Sequence, residues 1–491
     1  MRNIKWAAIV LGVLMIGNVD LRADEPAKTG TAEVPGIVVE SQNAAAASAT
    51  EADAAAASDA TTKPVTRAEI DGINSQLAIL NDQLNRTLTL NTASTNRALQ
   101  FSGTLQTRYV YLDTSNKNGS SSSKPFASRN SNGFSIPVAS LALSGSLRKD
   151  YADGRNLDYV AGFQAASGSS WNLQATDAYL KYNFLPTLDN EKPLLYIQVG
   201  QQKRPFGVEP LATEDKQPAI NLATFAGGSG YSLSTRDIGV QLKGDLFPAV
   251  DTGYSYRVPL IEYSVGYFNG SLQDATDTNR AKDFVGRINF NAPVDYNSDF
   301  RGLTAGVSYL YGKGDYSYKN SGGTATTFDY GRADKIRWGY DISYVASPVG
   351  FTAEYAAGRD ARVTNTGNIS ETVARNSIRT INSQGYTLTF FYQWGEQFLK
   401  SVRSQARADD WWPTTYQPFI RYDRWDPDTA IAKNETSIWT LGFNVFFAQT
   451  TKFQINYNIS QNRDRTNADV IAAGSGALRK HELDLQFQYG F

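Results

Sequence analysis

The sequence ends in HELDLQFQYGF, residues 481–491, and polarity alternates along this stretch. Every second residue from Leu483 to Phe491 is leucine, phenylalanine or tyrosine, and most residues between them carry a carboxylate or an amide. Because successive side chains of a β-strand point to opposite faces, the pattern predicts a strand with one apolar and one polar face. An edge strand that ends a soluble domain would alternate in the same way as a strand with lipid on one side and water on the other. The rest of the chain has to distinguish these two environments.

The composition excludes several classes of protein. The 491 residues include no cysteine and one histidine, and the formal net charge is −1. No disulfide framework can form, and no basic field favours nucleic acid as a partner. One histidine leaves little basis for Ser-His catalysis, and we find no enzyme motif, no metal-ligand spacing and no cofactor motif. The 27 tyrosines, 24 phenylalanines and 40 glycines indicate a β-rich chain.

Residues 1–23 have the layout of a secretory signal peptide. Arg2 and Lys5 precede an apolar run over residues 6–16, and Ala23 is the expected cleavage residue. A membrane anchor is the alternative, although the apolar run is short for a helix that crosses a bilayer. Export, combined with the lack of cysteine, indicates a protein of the bacterial envelope.

Two further segments precede the alternating part of the chain. Residues 24–62 are rich in alanine, threonine and serine and cannot build a core, so they predict a low-complexity spacer. Residues 63–92 predict a short periplasmic coiled coil, which would oligomerise the chain or tether it to cell-wall material. An amphipathic helix lying on another surface is the alternative. The predicted heptad seam consists of Ile70, Ile73, Leu77, Leu80 and Leu84.

From about residue 100 onwards the apolar residues alternate with polar ones. In residues 437–446, for example, Trp439 and Leu441 share one parity and Thr440 and Gly442 share the other. The polar parity carries charges and amides along whole strands, and the apolar parity carries aromatic residues towards the strand ends, as in a membrane barrel. We therefore expect an all-β fold over residues 100–491, a transmembrane antiparallel barrel in which no strand edge stays unpaired.

The pattern predicts sixteen strands. They are expected at 101–112, 138–148, 157–166, 173–184, 194–203, 235–246, 260–268, 283–292, 301–312, 335–346, 350–358, 383–394, 416–425, 437–447, 451–461 and 479–491. Most connections after odd strands are long, including 313–334 and 359–382, whereas several after even strands are short. Long outer loops and short periplasmic turns are typical of outer-membrane barrels. The long stretch 395–415 is an exception to this rule.

The last strand has to pair with the first to close such a barrel. Its apolar face would meet lipid and its polar face would meet water. A terminal aromatic residue, here Phe491, also resembles the signal that the bacterial barrel-assembly machinery reads.

Several stretches resemble the phosphate-selective porin O/P family. They include VGQQKRPFGVEP at 199–210, STRDIGVQLKGDL at 234–246, GYTLTFFYQWGEQ at 385–397 and PFIRYDRWDP at 418–427, in the expected order. The resemblance covers most of 100–491. It implies a homotrimeric sixteen-stranded porin of the bacterial outer membrane, with a water-filled channel for small hydrophilic solutes and ions, which favours phosphate in some members. Outer-membrane lipid would surround it.

Ion preference in such a channel depends on the side chains that face the lumen. By parity, Arg108, Arg287 and Arg421 face inward near mid-strand, and they would form one side of an anion filter. Inward basic and acidic residues are similar in number, however, so these charges can equally serve to hydrate and balance the wall. The further residues that we expect along the pore are Lys203, Arg204 and Glu354.

The loop after the fifth strand is among the longest, and a loop of roughly thirty residues is uncommon unless it has a function. In the family that the chain resembles, the third outer loop folds into the lumen and narrows it. We therefore expect this loop to form part of a constriction, with a surface cover or a trimer contact as the alternative. Its expected charged residues are Glu209, Glu214, Asp215 and Lys216.

Overall fold

A computed structural model gives the structure of the chain, which divides into two compact units. One unit comprises Met1–Arg22 with Gln100–Phe491, and the other comprises Ala23–Leu99. The described residues are 90–92, 97–113, 131–148, 150, 154–166, 172–186, 193–213, 217–251, 256–277, 279–295, 297–345, 348–365, 367–395, 415–447, 451–463 and 478–490. The expected signal peptide, spacer, heptad seam and Phe491 lie outside these ranges.

Sixteen long strands make up the described part of the larger unit. They are β1 (Arg97–Asp113), β2 (Ser131–Arg148), β3 (Leu157–Ala166), β4 (Asn172–Leu185), β5 (Leu195–Lys203), β6 (Arg236–Asp251), β7 (Tyr256–Phe268), β8 (Asp283–Asn291), β9 (Leu303–Lys319), β10 (Ala325–Val345), β11 (Val349–Val363), β12 (Ile378–Tyr392), β13 (Thr415–Asp426), β14 (Thr436–Phe446), β15 (Lys452–Asn462) and β16 (Leu478–Gly490). Two short strands accompany them. Leu90–Thr92 pairs with the start of β1, and Trp394–Gly395 pairs with the start of β13.

Each strand pairs with its neighbours in the chain, and the sheet closes on itself. The closing pair is β16 with β1, antiparallel, with a register that runs from His481↔Asp113 to Gly490↔Thr104. The barrel is therefore an antiparallel ring of sixteen strands. Closure leaves no row of unpaired backbone groups, which is the condition for spanning the hydrocarbon core with strands.

The distribution of polarity is inverted relative to a soluble domain. On β15, Gln454 and Asn456 are fully buried, whereas Tyr457 and Ile459, which have the opposite parity to Gln454 and Asn456, are more than a third exposed. The same alternation recurs around the wall, with amides, hydroxyls and charges facing inward. An apolar outer surface and a polar interior are what a barrel in lipid with an aqueous lumen requires.

Two rows of aromatic rings run across the outer face of β10–β14. The row near the long-loop end contains Trp338, Tyr340, Tyr355, Tyr386, Tyr422 and Trp439, in which neighbouring rings lie 4.6–5.8 Å apart. The row near the opposite end contains Tyr344, Phe351, Tyr392, Trp394, Tyr416 and Phe443. We call them the outer and the periplasmic girdle, because such belts sit at the two membrane–water interfaces.

The sixteen predicted strands are confirmed, but two predicted loops are wrong in part. Most of 313–334 is a hairpin that continues β9 and β10 beyond the neighbouring strands and turns at Asn320–Thr324. The predicted loop 359–382 contains the end of β11, the helix α1 (Glu371–Asn376) and the start of β12. No helix in the described ranges is long and apolar enough to cross a membrane. Residues 396–414, within the exceptional stretch, lie outside the described part.

Candidate functional site

The connection between β5 and β6, residues 204–235, folds into the barrel, and we call it the inner loop. Its described residues are largely buried, and its polar groups bond to inward side chains of the wall. Within the loop, Glu214, Asp215 and Lys216 lie outside the described residues. Lys203, at the end of β5, donates to the carbonyl oxygens of Pro210 and Ala212 at 3.1 and 2.6 Å and so fixes the first turn of the loop.

The Pro-Phe-Gly turn at the start of the inner loop is pressed against the wall. Phe206 is fully buried, and a Cβ built on Gly339 of β10 would lie 3.2 Å from its ring. Gly207 has a φ of +66°, and a Cβ there would overlap the carboxylate of Glu354. The positive φ and the close contact with Glu354 both require glycine at position 207. The Gly207 amide donates to Ser308 Oγ at 3.0 Å.

Two carboxylates hold the backbone of the inner loop. Glu354 of β11 accepts from the amides of Val208 and Glu209 at 3.1 and 2.8 Å. Glu209 in turn accepts from the Ala223 amide at 3.0 Å and pairs with Arg421 of β13 at 3.0 Å. Because buried amides without an acceptor are costly, these carboxylates fix the path of the loop.

The second half of the inner loop bonds to β13, β14 and β15. Asp423 accepts from the amide and the hydroxyl of Thr224 at 2.8 and 2.6 Å. Further wall donors reach loop carbonyls, namely Asn444 and Gln454 to Pro218, each at 3.0 Å, and Lys452 to Gln217 at 2.6 Å. Inward polar residues of these strands therefore replace water around the loop backbone.

Apolar packing completes the attachment. The loop residues Phe206, Ala223, Phe225, Ala226, Tyr231 and Leu233 form one buried cluster with the wall residues Phe268, Val285, Leu310, Ala356 and Trp425. Wall glycines make room for it, since a Cβ on Gly385 or Gly358 would lie 2.7 Å from Phe225 or Tyr231. Burial raises the pKa of the Tyr231 phenol, which donates to the Ser383 carbonyl oxygen at 2.7 Å.

Asn221 is the exposed tip of the inner loop, and charged groups from three strands meet there. Its side-chain oxygen accepts from Arg108 at 3.2 Å, and its backbone oxygen accepts from Arg421 at 2.9 Å. Its amide nitrogen donates to Asp484 at 3.1 Å and lies 3.4 Å from Glu482. Two arginines and two carboxylates thus contact the same residue, Asn221, at the tip of the inner loop.

The structure brings two of the three mid-strand arginines together and separates the third. Arg108 and Arg421 both contact Asn221, whereas Arg287 of β8 forms a bidentate pair with Asp341 at 2.5 and 2.8 Å. Arg204 is buried at the base of the inner loop, where it donates to the Ser232 carbonyl oxygen at 2.6 Å and lies 3.6 Å from Asp283. Most of the site residues inferred from parity therefore bond to the loop or to each other.

Sequence reasoning missed Asn221, Thr224 and the wall glycines. No local pattern distinguishes a loop amide that meets the wall from one that meets water. The glycines did carry a signal, since Gly339, Gly358 and Gly385 share the inward parity of their strands. Small residues in inward positions mark places where another chain segment approaches closely.

The wall formed by β4, β5 and β6 lies outside the strands that hold the second half of the inner loop. Lys181 lies 4.9 Å from the centre of the Tyr196 ring, and Tyr196 is in register with Lys243. Nearby, Arg236 pairs with Asp177 at 2.9 Å. Lys181, Tyr196 and Lys243 are all partly exposed.

A closed sixteen-stranded barrel with a polar lumen and a loop folded into it defines a porin. The family model described as phosphate-selective porin O and P matches residues 122–491, and the chain belongs to this family. The protein is therefore an outer-membrane porin, whose barrel forms a water-filled channel. Family and fold point to a channel rather than an enzyme.

Several solved structures are similar to the chain. The anion-selective porin from Comamonas acidovorans is 12% identical, with 80% of this chain and 100% of that chain covered and a TM-score of 0.50. Salmonella typhi OmpF in complex with daunomycin is 13% identical, with 80% and 98% covered and a TM-score of 0.47. OmpT of Vibrio cholerae, in vitro folded and in trimer form, is 12% identical, with 80% and 99% covered and a TM-score of 0.43. No curated protein matches the chain.

Proposed function

We propose that the channel passes small hydrophilic solutes and ions by diffusion, that it favours anions including phosphate, and that the inner loop forms its constriction. The observation that carries the proposal is the set of bonds between the loop and inward side chains of β9, β11 and β13–β16. A loop fixed to that part of the wall narrows the lumen and leaves the passage along the remaining strands.

The preference for anions rests on family membership and on the wall opposite those anchors. Lys181 and Lys243 are partly exposed inward cations on that wall. Other inward cations are buried in a pair with a carboxylate, as Arg287 is with Asp341 and Arg421 is with Glu209. Charge that stays accessible to solutes sets ion choice in a pore. We therefore assign the anion preference to the two lysines, with Arg108 at the loop tip as a further contributor.

Reversal potentials in planar bilayers test the selectivity. With phosphate or chloride gradients, the wild type should pass the anion more readily than the cation. The K181Q/K243Q variant should lower the anion-to-cation permeability ratio by about two- to threefold, and added salt should shrink the difference. A matched control, K313Q/K433Q, removes the same charge from the outer part of β9 and from the connection between β13 and β14. Equal ratios in wild type and K181Q/K243Q would contradict the assignment.

The other expectations stay proposals. We propose that the protein is a homotrimer in the outer membrane of a bacterium, that the barrel-assembly machinery inserts it through the strand ending at Phe491, and that residues 63–92 form a periplasmic coiled coil. A cell-wall tether through that coil is the second candidate role. Particle mass in mild detergent tests the trimer, and the L77D/L80D variant tests the coil, whose loss should leave the barrel trimer intact.

A further inference from the structure

Two side chains with apolar bodies face the lumen on β3 and β4. Tyr179 and Lys181 of β4 flank Leu180, whose exposed side chain lies on the outer face, so both point inward. Val160 of β3 is in register with Tyr179 and therefore lies on the same inner face. Val160 and Tyr179 are both partly exposed.

Accessible apolar groups are unexpected on the inner face of a water-filled barrel, which is normally polar. On the strands that hold the inner loop, inward apolar side chains such as Val285, Leu310 and Phe419 are buried in clusters that include loop residues. Val160 and Tyr179 belong to the open wall and keep part of their surface accessible. Because covering apolar surface displaces water favourably, these two side chains favour a solute with an apolar body.

Small residues lie beside Val160 on the neighbouring strand. Ser144 of β2 is in register with Val160, and Ala142, which has the same parity as Ser144, is in register with Gly162 of β3. Side chains as short as these cannot cover Val160. The inner face of β2 therefore leaves room for a solute in front of Val160 and Tyr179.

Two lysines lie on the other side of Tyr179. Lys181 is two residues further along β4, and its Nζ lies 4.9 Å from the centre of the Tyr196 ring. Lys243 of β6 is in register with Tyr196. Carboxylates of the same wall already accept from other groups, in the contacts Asp158–Ser146 (2.6 Å), Asp177–Arg236 (2.9 Å), Asp245–Arg257 (2.6 and 2.8 Å) and Glu262–Asn289 (3.3 Å). An anionic group next to the tyrosines would therefore meet the two lysines.

We propose that Val160, Tyr179, Lys181, Tyr196 and Lys243 form a binding subsite for small organic anions that carry an apolar or aromatic body. The two lysines bind the anionic group, and Val160 and the tyrosine rings contact the body. Apolar and aromatic walls with a few charged groups are typical of small-molecule sites. The inference rests on the proposed passage along β1–β7 and names a class of solute for it. An inorganic anion would use the lysines but not Val160 or Tyr179.

Block of the chloride current through the full-length porin in planar bilayers tests the proposal. The probes are potassium benzoate, which has both a charge and a ring, potassium acetate, which has only the charge, and benzyl alcohol, which has only the ring. Benzoate should half-block the wild-type current at about a tenfold lower concentration than either of the others. The V160T/Y179Q variant keeps both lysines and should reduce the preference for benzoate over acetate about threefold. The control V110T makes the same valine substitution at an inward position of β1, in register with Asp484, and should keep the wild-type preference.

Equal block by benzoate and acetate in an anion-selective channel would overturn this inference alone, whereas a channel without anion selectivity would contradict the proposed function. An unchanged preference in V160T/Y179Q, or an equal loss in V110T, would remove Val160 and Tyr179 from the subsite. Block by benzyl alcohol as strong as that by benzoate would show that the lysines do not take part. The single variant V160T keeps the shape of valine and should fold even if the double variant does not. It should lose part of the preference for benzoate, and an unchanged preference would also count against the proposal.

Discussion

Strands β8–β16 and strands β1–β7 both place polar side chains on the inner face of the barrel, but they use them differently. Along β8–β16 many inward groups are buried and bond to the inner loop or to each other, as Glu354, Asp423 and Arg287 do. Along β4–β6, Gln198 and Gln241 are buried as well, but Lys181, Tyr196 and Lys243 stay partly exposed. A polar inward side chain can therefore either hold a loop in place or meet the permeating solute.

Inward side chains of the same barrel wall therefore have two roles. Those on β8–β16 stabilise the inner loop, and the cations on β4–β6 set ion selectivity. Removing an anchor on β8–β16 leaves buried backbone amides without an acceptor, so the first effect should be on stability and on the position of the loop. Removing a cation on β4–β6 should leave stability nearly unchanged and alter ion preference. The following variants are ordered from the largest expected effect to the smallest.

Deleting 211–226 while keeping Gly227, Gly228 and Gly230 should have the largest effect. It removes the anchors at Gln217, Pro218, Asn221 and Thr224, so the lumen should widen and single-channel conductance should rise by about twofold or more, with weaker selectivity. A deletion of the same length in the outer hairpin, 315–330, joins Gly314 to Gly331 and should leave conductance unchanged. Equal conductance in the wild type and the 211–226 deletion would place the loop outside the passage.

Glu354→Ala should have the next largest effect. Because it removes the acceptor of the Val208 and Glu209 amides, it should lower the free energy of unfolding by about 2–4 kcal/mol and increase current noise. Glu354→Gln also removes the charge but keeps a carbonyl acceptor, so it should recover at least half of the loss. Urea unfolding and bilayer recordings measure both quantities. The same loss in both variants would mean that charge, not the acceptor, stabilises the loop.

Gly385→Ala should have a smaller effect. The added Cβ would lie 2.7 Å from Phe225 Cβ and 2.9 Å from Trp425 Cε3, so the loop has to shift at a cost of about 1–3 kcal/mol. Gly314→Ala on β9 has open space for its Cβ and should change stability by less than about 0.5 kcal/mol. Adding Phe225→Ala should offset part of the Gly385→Ala cost, which a double-mutant cycle measures. Strictly additive effects would show that the two residues do not meet.

The barrel itself could be predicted from the sequence, because lipid on one side and water on the other impose a strict alternation on every strand. That alternation identified all sixteen strands and the inward parity of Arg108, Arg287 and Arg421. It failed at 313–334 because lipid and water do not impose this alternation there. The hairpin there extends β9 and β10 beyond the other strands, so neither face has to be apolar and the strand resembles a polar loop.

The attachment of the inner loop could not be predicted. Parity gives the direction of Glu354 and Asp423, but not the segment that each one meets across the lumen, because those contacts join residues more than a hundred positions apart. The loop's position was therefore an expectation from family resemblance. The inward glycines Gly339, Gly358 and Gly385 are the one local signal that sequence analysis could have used.

Cysteine accessibility tests most directly that the inner loop covers β8–β16 and leaves the passage along β1–β7. The chain has no cysteine, so single substitutions need no background correction. Lys181 and Lys243 stand for the open wall, and Thr387, which is fully buried between Glu354 and Asp423, stands for the covered wall. A charged, membrane-impermeant thiol reagent should reduce the current through K181C and K243C and spare T387C. Adding the 211–226 deletion should make T387C reactive. Rapid reaction of T387C in the intact chain, or protection of both lysine positions, would contradict the account.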